Sequence, residues 1–214
     1  IAGNHGAGVI ERAGPGVALP PGTLVAFSHE RTWAEYAAVP AEYLIPLPPG
    51  MPAEKAGQLM NPITAWDLVA ESGVAAGLWL AVTAGYSTIS TLALQFARRR
   101  GIRTVAIVRR EHPELDLREL GAEALIDLSR QDLRAEVMAV TGGAGLHGVV
   151  DNVGGPATGT LIRSLAFGGR VVINGGMSEE SFTLHNFDLL LNGVSLQPSV
   201  YRYFFGPPPP AEPP

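Results

Sequence analysis

The rhythm of hydrophobic and polar positions changes near residue 60. Before it, apolar residues come in short runs, GAGVIERAG, GTLVAF, WAEYAAVP and EYLIPLP, separated by glycine and proline. Short alternating spans with tight punctuation predict small antiparallel strands. From about Asn61 the pattern becomes strand–helix alternation. Apolar runs of strand length predict strands at Leu78–Val82, Thr104–Val108, Ala124–Ile126, Gly148–Asn152, Arg170–Asn174 and Val194–Gln197. Between them, helical spacing predicts Thr64–Glu71, Thr88–Arg100, Pro113–Leu120, Gln131–Val140, Ala157–Ala166 and a helix near Asn186–Leu191. Repeated βα units whose strands are apolar throughout predict an α/β fold with a doubly wound parallel sheet.

One stretch permits another reading. No charged residue occurs from Gly73 to Ala97, and Arg98–Arg100 follow. By length and flank that suits a membrane span. Its middle, however, is TAGYSTIST, polar and β-branched, which divides it into a strand and a helix. The strand–helix reading is preferred, and no membrane partner is expected.

Composition narrows the classes. Of the 214 residues, 46% are hydrophobic and 16% charged, as in a chain with a packed core. A net charge of −5 supplies no basic field for a nucleic-acid backbone. The chain has no cysteine, which removes disulfides, thiolate catalysis and cysteine-built zinc sites. That is compatible with a cytoplasmic location. The start at Ile1 and the PPPPAEPP end read as cut rather than natural termini. His5, His29, His112, His147 and His185 are scattered without H-x-x-x-H or H-E-x-x-H spacing, and no G-x-S-x-G elbow occurs.

In a doubly wound sheet, ligands sit beyond the carboxyl ends of the strands. The first βαβ unit, Leu78–Val108, opens such a fold, but its turn, Ala84–Ser90, lacks G-x-G-x-x-G. Thr88 and Ser90 stand at the last two glycine positions. The helix start still offers N–H groups and its dipole to a diphosphate, and Ser87, Thr88 and Ser90 add hydroxyls. Side chains at Thr88 and Ser90 are expected either to hold a pyrophosphate away or to loosen helix–strand packing. Gly154-Gly155 and Gly175-Gly176 follow the fourth and fifth strands, where paired glycines let a ligand approach the backbone. Arg109 and Arg110 end the second strand, the place where arginine suits the 2′-phosphate of NADP; Glu111 beside them counts against it.

The segments GNHGAGVIERAG, WAEYAAVP, MNPITAW, LGAEALID, VVDNVGG and GGRVVINGGM, together with the βαβ unit, resemble the medium-chain dehydrogenase/reductase superfamily. Within it the chain looks most like the zinc-free quinone-oxidoreductase and 2-enoyl thioester reductase branch. The resemblance implies a partial, mostly β GroES-like catalytic domain over 1–60 and a Rossmann domain over 61–200. Residues 201–214 would be a proline-rich tail, the start of a missing C-terminal return. It also implies NADPH as cofactor and a small-molecule substrate. Asn61 and Thr64 would lie near the nicotinamide, Tyr86, Ser87, Thr88 and Ile89 on the pyrophosphate, and Arg109 and Arg110 at the 2′-phosphate. Asn152 and Val153 would lie along the cofactor's path, and Asn174, Gly175, Gly176 and Met177 against the nicotinamide side. A homodimer through the last strand is likewise implied.

The departures from the family pattern are specific. Asn4 stands where zinc alcohol dehydrogenases carry a ligand histidine of G-H-E, with His5 at the glutamate position. The tyrosine acid of the thioester reductases belongs to a segment upstream of this motif, and Tyr36, Tyr43, Tyr201 and Tyr203 match other regions. The expectation is an NADPH-dependent reductase of an activated C=C bond. The alternative is a dinucleotide-fold binding or scaffolding protein that has lost catalysis, which the altered turn favours.

Overall fold

The computed structural model describes residues 3–112 and 114–199. They form two compact units that divide between Ile63 and Thr64. The proline-rich tail expected over 201–214 lies outside the described residues.

In the first unit, β1 (His5–Val9), β2 (Leu24–Ser28) and β3 (Leu44–Pro46) form an antiparallel sheet with β2 in the centre. The central strand is the buried one: Ala26 packs with Leu47 and with Ala56 of the short helix α1 (Ala53–Ala56). The WAEYAAVP run, expected to be β, belongs to no strand. Trp33 is 78% and Tyr36 76% exposed there, so the segment has neither a sheet ladder nor a buried face among the described residues.

Helix α2 (Met60–Glu71) carries the chain into the second unit. It starts four residues before the expected Thr64, because Pro62 falls in the first turn, where a missing N–H costs no intrahelical bond. The elements that follow are β4 (Trp79–Val82), α3 (Thr88–Arg99), β5 (Arg103–Val108), β6 (Ala124–Asp127), α4 (Leu133–Val140), β7 (Leu146–Asp151), α5 (Pro156–Ile162), β8 (Leu165–Ile173), α6 (Asn186–Leu190) and β9 (Ser195–Pro198). The strands lie in the order β6-β5-β4-β7-β8-β9, and every pairing is parallel. This is the doubly wound α/β sheet expected from the sequence, with the order reversing at β4.

Strand alternation splits the core between the two faces of the sheet. Leu80 and Val82 face Ala65, Leu68 and Val69 of α2 and Ala93, Leu94 and Ala97 of α3. Trp79 and Ala81 share the opposite face with Val105, Ile107 and Ile126, Leu133 and Val137 of α4, and Leu161 and Ile162 of α5. Leu80 and Leu94 are fully buried; truncating such a side chain to alanine costs about 2–5 kcal/mol.

Two expected helices differ. Pro113 lies outside the described residues, and 114–120 form turns rather than a helix. Asp116 explains why: its carboxylate accepts from Arg118 N–H at 2.9 Å and its carbonyl from Glu119 N–H at 3.2 Å, which favours a turn over a continuing helix. Leu117 is 2% exposed and anchors that turn in the core. Helix α5 stops at Ile162, not Ala166, and Leu165 and Ala166 already belong to β8. The β7–β8 register shifts between Leu146 and Gly148, so the early part of β8 pairs with an offset that alternation cannot reveal.

Candidate functional site

The loops at the carboxyl ends of β4, β5, β7 and β8 meet around the point where the strand order reverses. The turn after β4 keeps one glycine whose role is steric. A Cβ on Gly85 would stand 2.9 Å from Leu117 Cδ1 and 3.0 Å from Val108 Cγ1, so only hydrogen fits between the turn and β5. Ala84 beside it takes φ +50°, uncommon for a residue with a side chain. Ser87 then caps α3: its Oγ accepts from Ser90 N–H at 3.1 Å. Thr88 is exposed at the helix start, and Ile89 is half-buried. The first N–H groups of α3 have no intrahelical acceptor, and the dipole's positive end lies there.

Ser90 is fully buried. Its Oγ donates to the Thr83 carbonyl at 2.8 Å and accepts from Ser87 Oγ at 2.8 Å and from Asn152 Nδ2 at 3.1 Å. The hydroxyl therefore spans the gap between helix and strand with its bonding capacity filled.

On the β7 side the loops are ordered from beneath. The buried Asp151 carboxylate accepts from Thr83 Oγ1 at 3.0 Å, from the N–H groups of Val153 at 3.0 Å and Gly154 at 3.2 Å, and from Thr158 Oγ1. Asn152 donates its backbone N–H to Thr83 Oγ1 at 2.8 Å and a side-chain N–H to the Thr83 carbonyl at 3.3 Å. Its Oδ1 accepts from Asn174 Nδ2 at 2.7 Å. Gly154 and Gly155 take φ +79° and +73°, the left-handed region that glycine enters at no cost. Gly175 lies so close to the preceding loop that a Cβ would be 2.2 Å from the Asn152 carbonyl oxygen. Gly176 borders open space, and Met177 is 82% exposed. The structure thus brings Ser87, Thr88, Asn152, Val153, Asn174, Gly175 and Gly176 to adjoining loops at one end of the sheet.

On the β5 side, Arg109 and Arg110 are exposed, and neither is in an ion pair among the described residues. Glu111 is engaged: its N–H donates to Asp127 Oδ2 at 3.1 Å, and its carboxylate pairs with Arg130. Asp127 also accepts from Ser129 and lies 3.3 Å from Arg130. The Ser129 hydroxyl first, then the Glu111 and Ser129 N–H groups and the Arg130 charge, hold the Asp127 carboxyl down to about 2, against the opposing effect of burial. Tyr86 ties the two turns together. Its hydroxyl accepts from His112 N–H at 2.9 Å and donates to the His112 carbonyl at 3.3 Å, and the rings meet edge to face at 5.1 Å. A cavity of about 200 Å³ lies beside this junction, between Tyr86, His112 and Leu117.

Sequence reasoning missed Asp127 and Arg130. The available signal was the D-L-S-R spacing after a strand, which suits an Asx-type turn. Asn61 and Thr64 lie one turn apart on α2, where Asn61 Nδ2 donates to Gln58 Oε1 at 2.6 Å. Among the described residues no group of three or more His, Cys, Asp or Glu is placed to hold a metal, and no helix is long and apolar enough to cross a membrane.

Known proteins resemble this arrangement. The family described as zinc-binding dehydrogenase matches residues 88–208, more than half of the chain. An alcohol dehydrogenase of Geobacillus stearothermophilus is 28% identical over 81% of this chain and 51% of its own length. A solved structure from Bacillus thuringiensis, described as an NADPH:quinone reductase, is 29% identical and superposes with a TM-score of 0.85, covering 94% of this chain and 62% of that one. A solved NAD-dependent alcohol dehydrogenase is 28% identical with a TM-score of 0.82, covering 92% and 67%. The chain spans about half the length of the Geobacillus relative and about two thirds of these solved ones. Its parallel sheet, its glycine-bearing loops around β4 and these matches agree: the chain belongs to the zinc-binding dehydrogenase family of the medium-chain dehydrogenase/reductase superfamily, on the quinone-oxidoreductase-like side.

Proposed function

We propose that the protein is a zinc-free, NADPH-dependent reductase that delivers hydride to the activated C=C bond of an enoyl thioester or quinone-like substrate. The observation that carries this reading is the placement of a capped helix start between two cationic side chains and a pair of carboxamides. The N-terminus of α3 lies at the strand where the order reverses, with Arg109 and Arg110 following β5 on one side and Asn152 and Asn174 following β7 and β8 on the other. A dinucleotide laid across that reversal would put its diphosphate at Ser87–Ile89. Its 2′-phosphate would then meet the guanidinium groups, and its nicotinamide half would run over Asn152, Val153 and the 174–177 loop.

The residues fit such a ligand on physical grounds. Gly176 leaves open space, Gly154 turns through the left-handed region, Gly175 lets the loops lie close, and the exposed arginines are in no ion pair among the described residues. The cofactor supplies the hydride; the chain's task is to orient it and to polarise the acceptor. With no cysteine in the chain, charge developing on substrate oxygen would be met by hydrogen-bond donors, for which Asn61 and Thr64 are the candidates. A second copy joining at the outer strand β9, and a cytoplasmic setting, complete the proposal.

Titration of the protein with NADPH and with NADH, followed by nicotinamide fluorescence, tests it. Saturable binding with NADPH preferred supports the reading. Preference for NADH removes the role given to Arg109 and Arg110. No binding of either leaves the scaffolding alternative, which the hydroxyl-bearing turn favours.

A further inference from the structure

We propose that Ser90 is a positioning residue that couples the diphosphate turn to the nicotinamide side of the cleft through Asn152 and Asn174. The proposal rests on the NADPH reading above and goes beyond it, because it assigns a task to a residue that stands in a glycine's place.

The coupling is a continuous chain of hydrogen bonds with one consistent direction. Asn174 Nδ2 donates to Asn152 Oδ1 at 2.7 Å, and Asn152 Nδ2 donates to Ser90 Oγ at 3.1 Å and to the Thr83 carbonyl at 3.3 Å. Ser87 Oγ donates to Ser90 Oγ at 2.8 Å, and Ser90 Oγ donates onward to the Thr83 carbonyl at 2.8 Å. Turning the Asn152 amide over would set its oxygen against the Thr83 carbonyl and its nitrogen against the Asn174 donor, so the Thr83 carbonyl fixes which way the amide faces, and Ser90 Oγ, bonded to both that carbonyl and Asn152 Nδ2, holds the amide in place. Glycine at this position would bring helix and strand together but offer no acceptor to Asn152 or Ser87. Ser90, Thr83 and Asn152 are all buried, so no water stands ready to replace the hydroxyl.

The hydroxyl therefore acts at a distance. It faces neither the diphosphate nor the nicotinamide; Ser87 Oγ keeps the Ser90 N–H whatever stands at this position, so the hydroxyl's own effect falls on the amide plane that presents Asn174. This yields an expectation opposite to that for a merely tolerated replacement: restoring glycine should weaken cofactor binding, and on one half of the cofactor only.

The experiment measures binding of NADPH and of adenosine 2′,5′-bisphosphate, which lacks the nicotinamide half, to wild type, Ser90→Ala, Ser90→Gly and Asn174→Ala. Wild type should bind both. Ser90→Ala and Ser90→Gly should weaken NADPH about tenfold and diminish the change in nicotinamide emission on binding, while the bisphosphate stays within about twofold. Asn174→Ala should reproduce this pattern, and the Ser90→Ala/Asn174→Ala pair should be no weaker than its weaker member, since both break one chain. Asn174 is part-exposed, so its variant carries the test even where the Ser90 variants do not fold. Equal weakening of both ligands, unchanged NADPH binding, or additive losses in the pair would each overturn the proposal. If wild type binds neither ligand, the NADPH reading falls first and this inference falls with it.

Discussion

On the β7 side of β4, the loops are held by hydrogen bonds among buried groups: Thr83, Ser90, Asn152 and the Asp151 carboxylate that orders them. On the β5 side, the corresponding loop is held by ion pairs of the exposed Arg130, with the exposed Glu111 and with the buried Asp127 carboxylate, while Arg109 and Arg110 are exposed and in no ion pair among the described residues. Both sides flank the same helix start. Breaking a buried bond strands a donor or acceptor, at about 1–3 kcal/mol. Breaking an exposed pair costs about 0–1 kcal/mol and is screened by salt. The β7 side is therefore built for fixed geometry, and the β5 side for adjustable attraction to an anion.

The comparison breaks most readily at Gly175. A methyl group there would overlap the Asn152 carbonyl oxygen, which belongs to backbone and has little room to move. Gly175→Ala should lower stability by about 1–3 kcal/mol in denaturant melts, the usual range for overpacking, and abolish the NADPH emission change. A variant with wild-type stability would show that the loops are not clamped as described.

Next in size is the loss of both exposed guanidiniums. Arg109→Ala/Arg110→Ala should weaken NADPH about tenfold and NADH little, with stability within about 0.5 kcal/mol of wild type. Raising salt should shrink the difference between the two cofactors. A matching loss for NADH would mean that the arginines do not read the 2′-phosphate.

Asp127 sharpens the contrast through pH. Its folded-state value of about 2 lies below its ordinary one, held there chiefly by Ser129. A depressed carboxyl contributes stability that is complete above its unfolded value of roughly 4 and is lost as pH falls through the folded value. Melting temperature should therefore decline from about pH 4 towards pH 2, and Asp127→Asn should flatten that part of the profile. An unchanged slope would show that Asp127 does not order the β5–β6 loops.

A smaller effect is expected from Glu111, whose charge Arg130 offsets. Arg130→Gln should weaken NADPH about threefold, and Glu111→Gln should abolish most of that loss in the double variant, as for a locally coupled pair. Additive effects would separate the two residues. The smallest change is expected at Thr88, exposed at the helix start: Thr88→Gly should leave NADPH affinity within about twofold, since exposed first-turn positions contribute little.

Much of the architecture was legible because it rests on local pattern. Apolar runs of strand length marked β4, β5 and β7, since strands buried on both faces of a parallel sheet tolerate little polarity. The ends of α3 likewise carry local chemistry, with Ser87 capping its start and Gly101 in the left-handed region just past its end. The 114–120 segment was misread because helical spacing of leucines does not reveal that Asp116 turns the chain back on itself. The residues of the candidate site were partly legible: Asn152, Asn174 and the paired glycines stand at strand ends, where their type is informative. Arg130 and Asp127 were not, because their importance comes from contacts across a loop rather than from spacing.

The sequence alone determined the alternation of strands and helices, the absence of cysteine ligands, and the presence of the hydroxyl residues Thr88 and Ser90 in a turn that lacks G-x-G-x-x-G. Only the tertiary structure decided what those hydroxyls do. The helix and the strand, set side by side by the sheet, leave Thr88 in water and enclose Ser90 between the Thr83 carbonyl and the Asn152 amide. Two neighbouring hydroxyl residues thus acquire opposite roles, because hydrogen bonding in the interior depends on partners that are 62 residues away in the chain and 3.1 Å away in space.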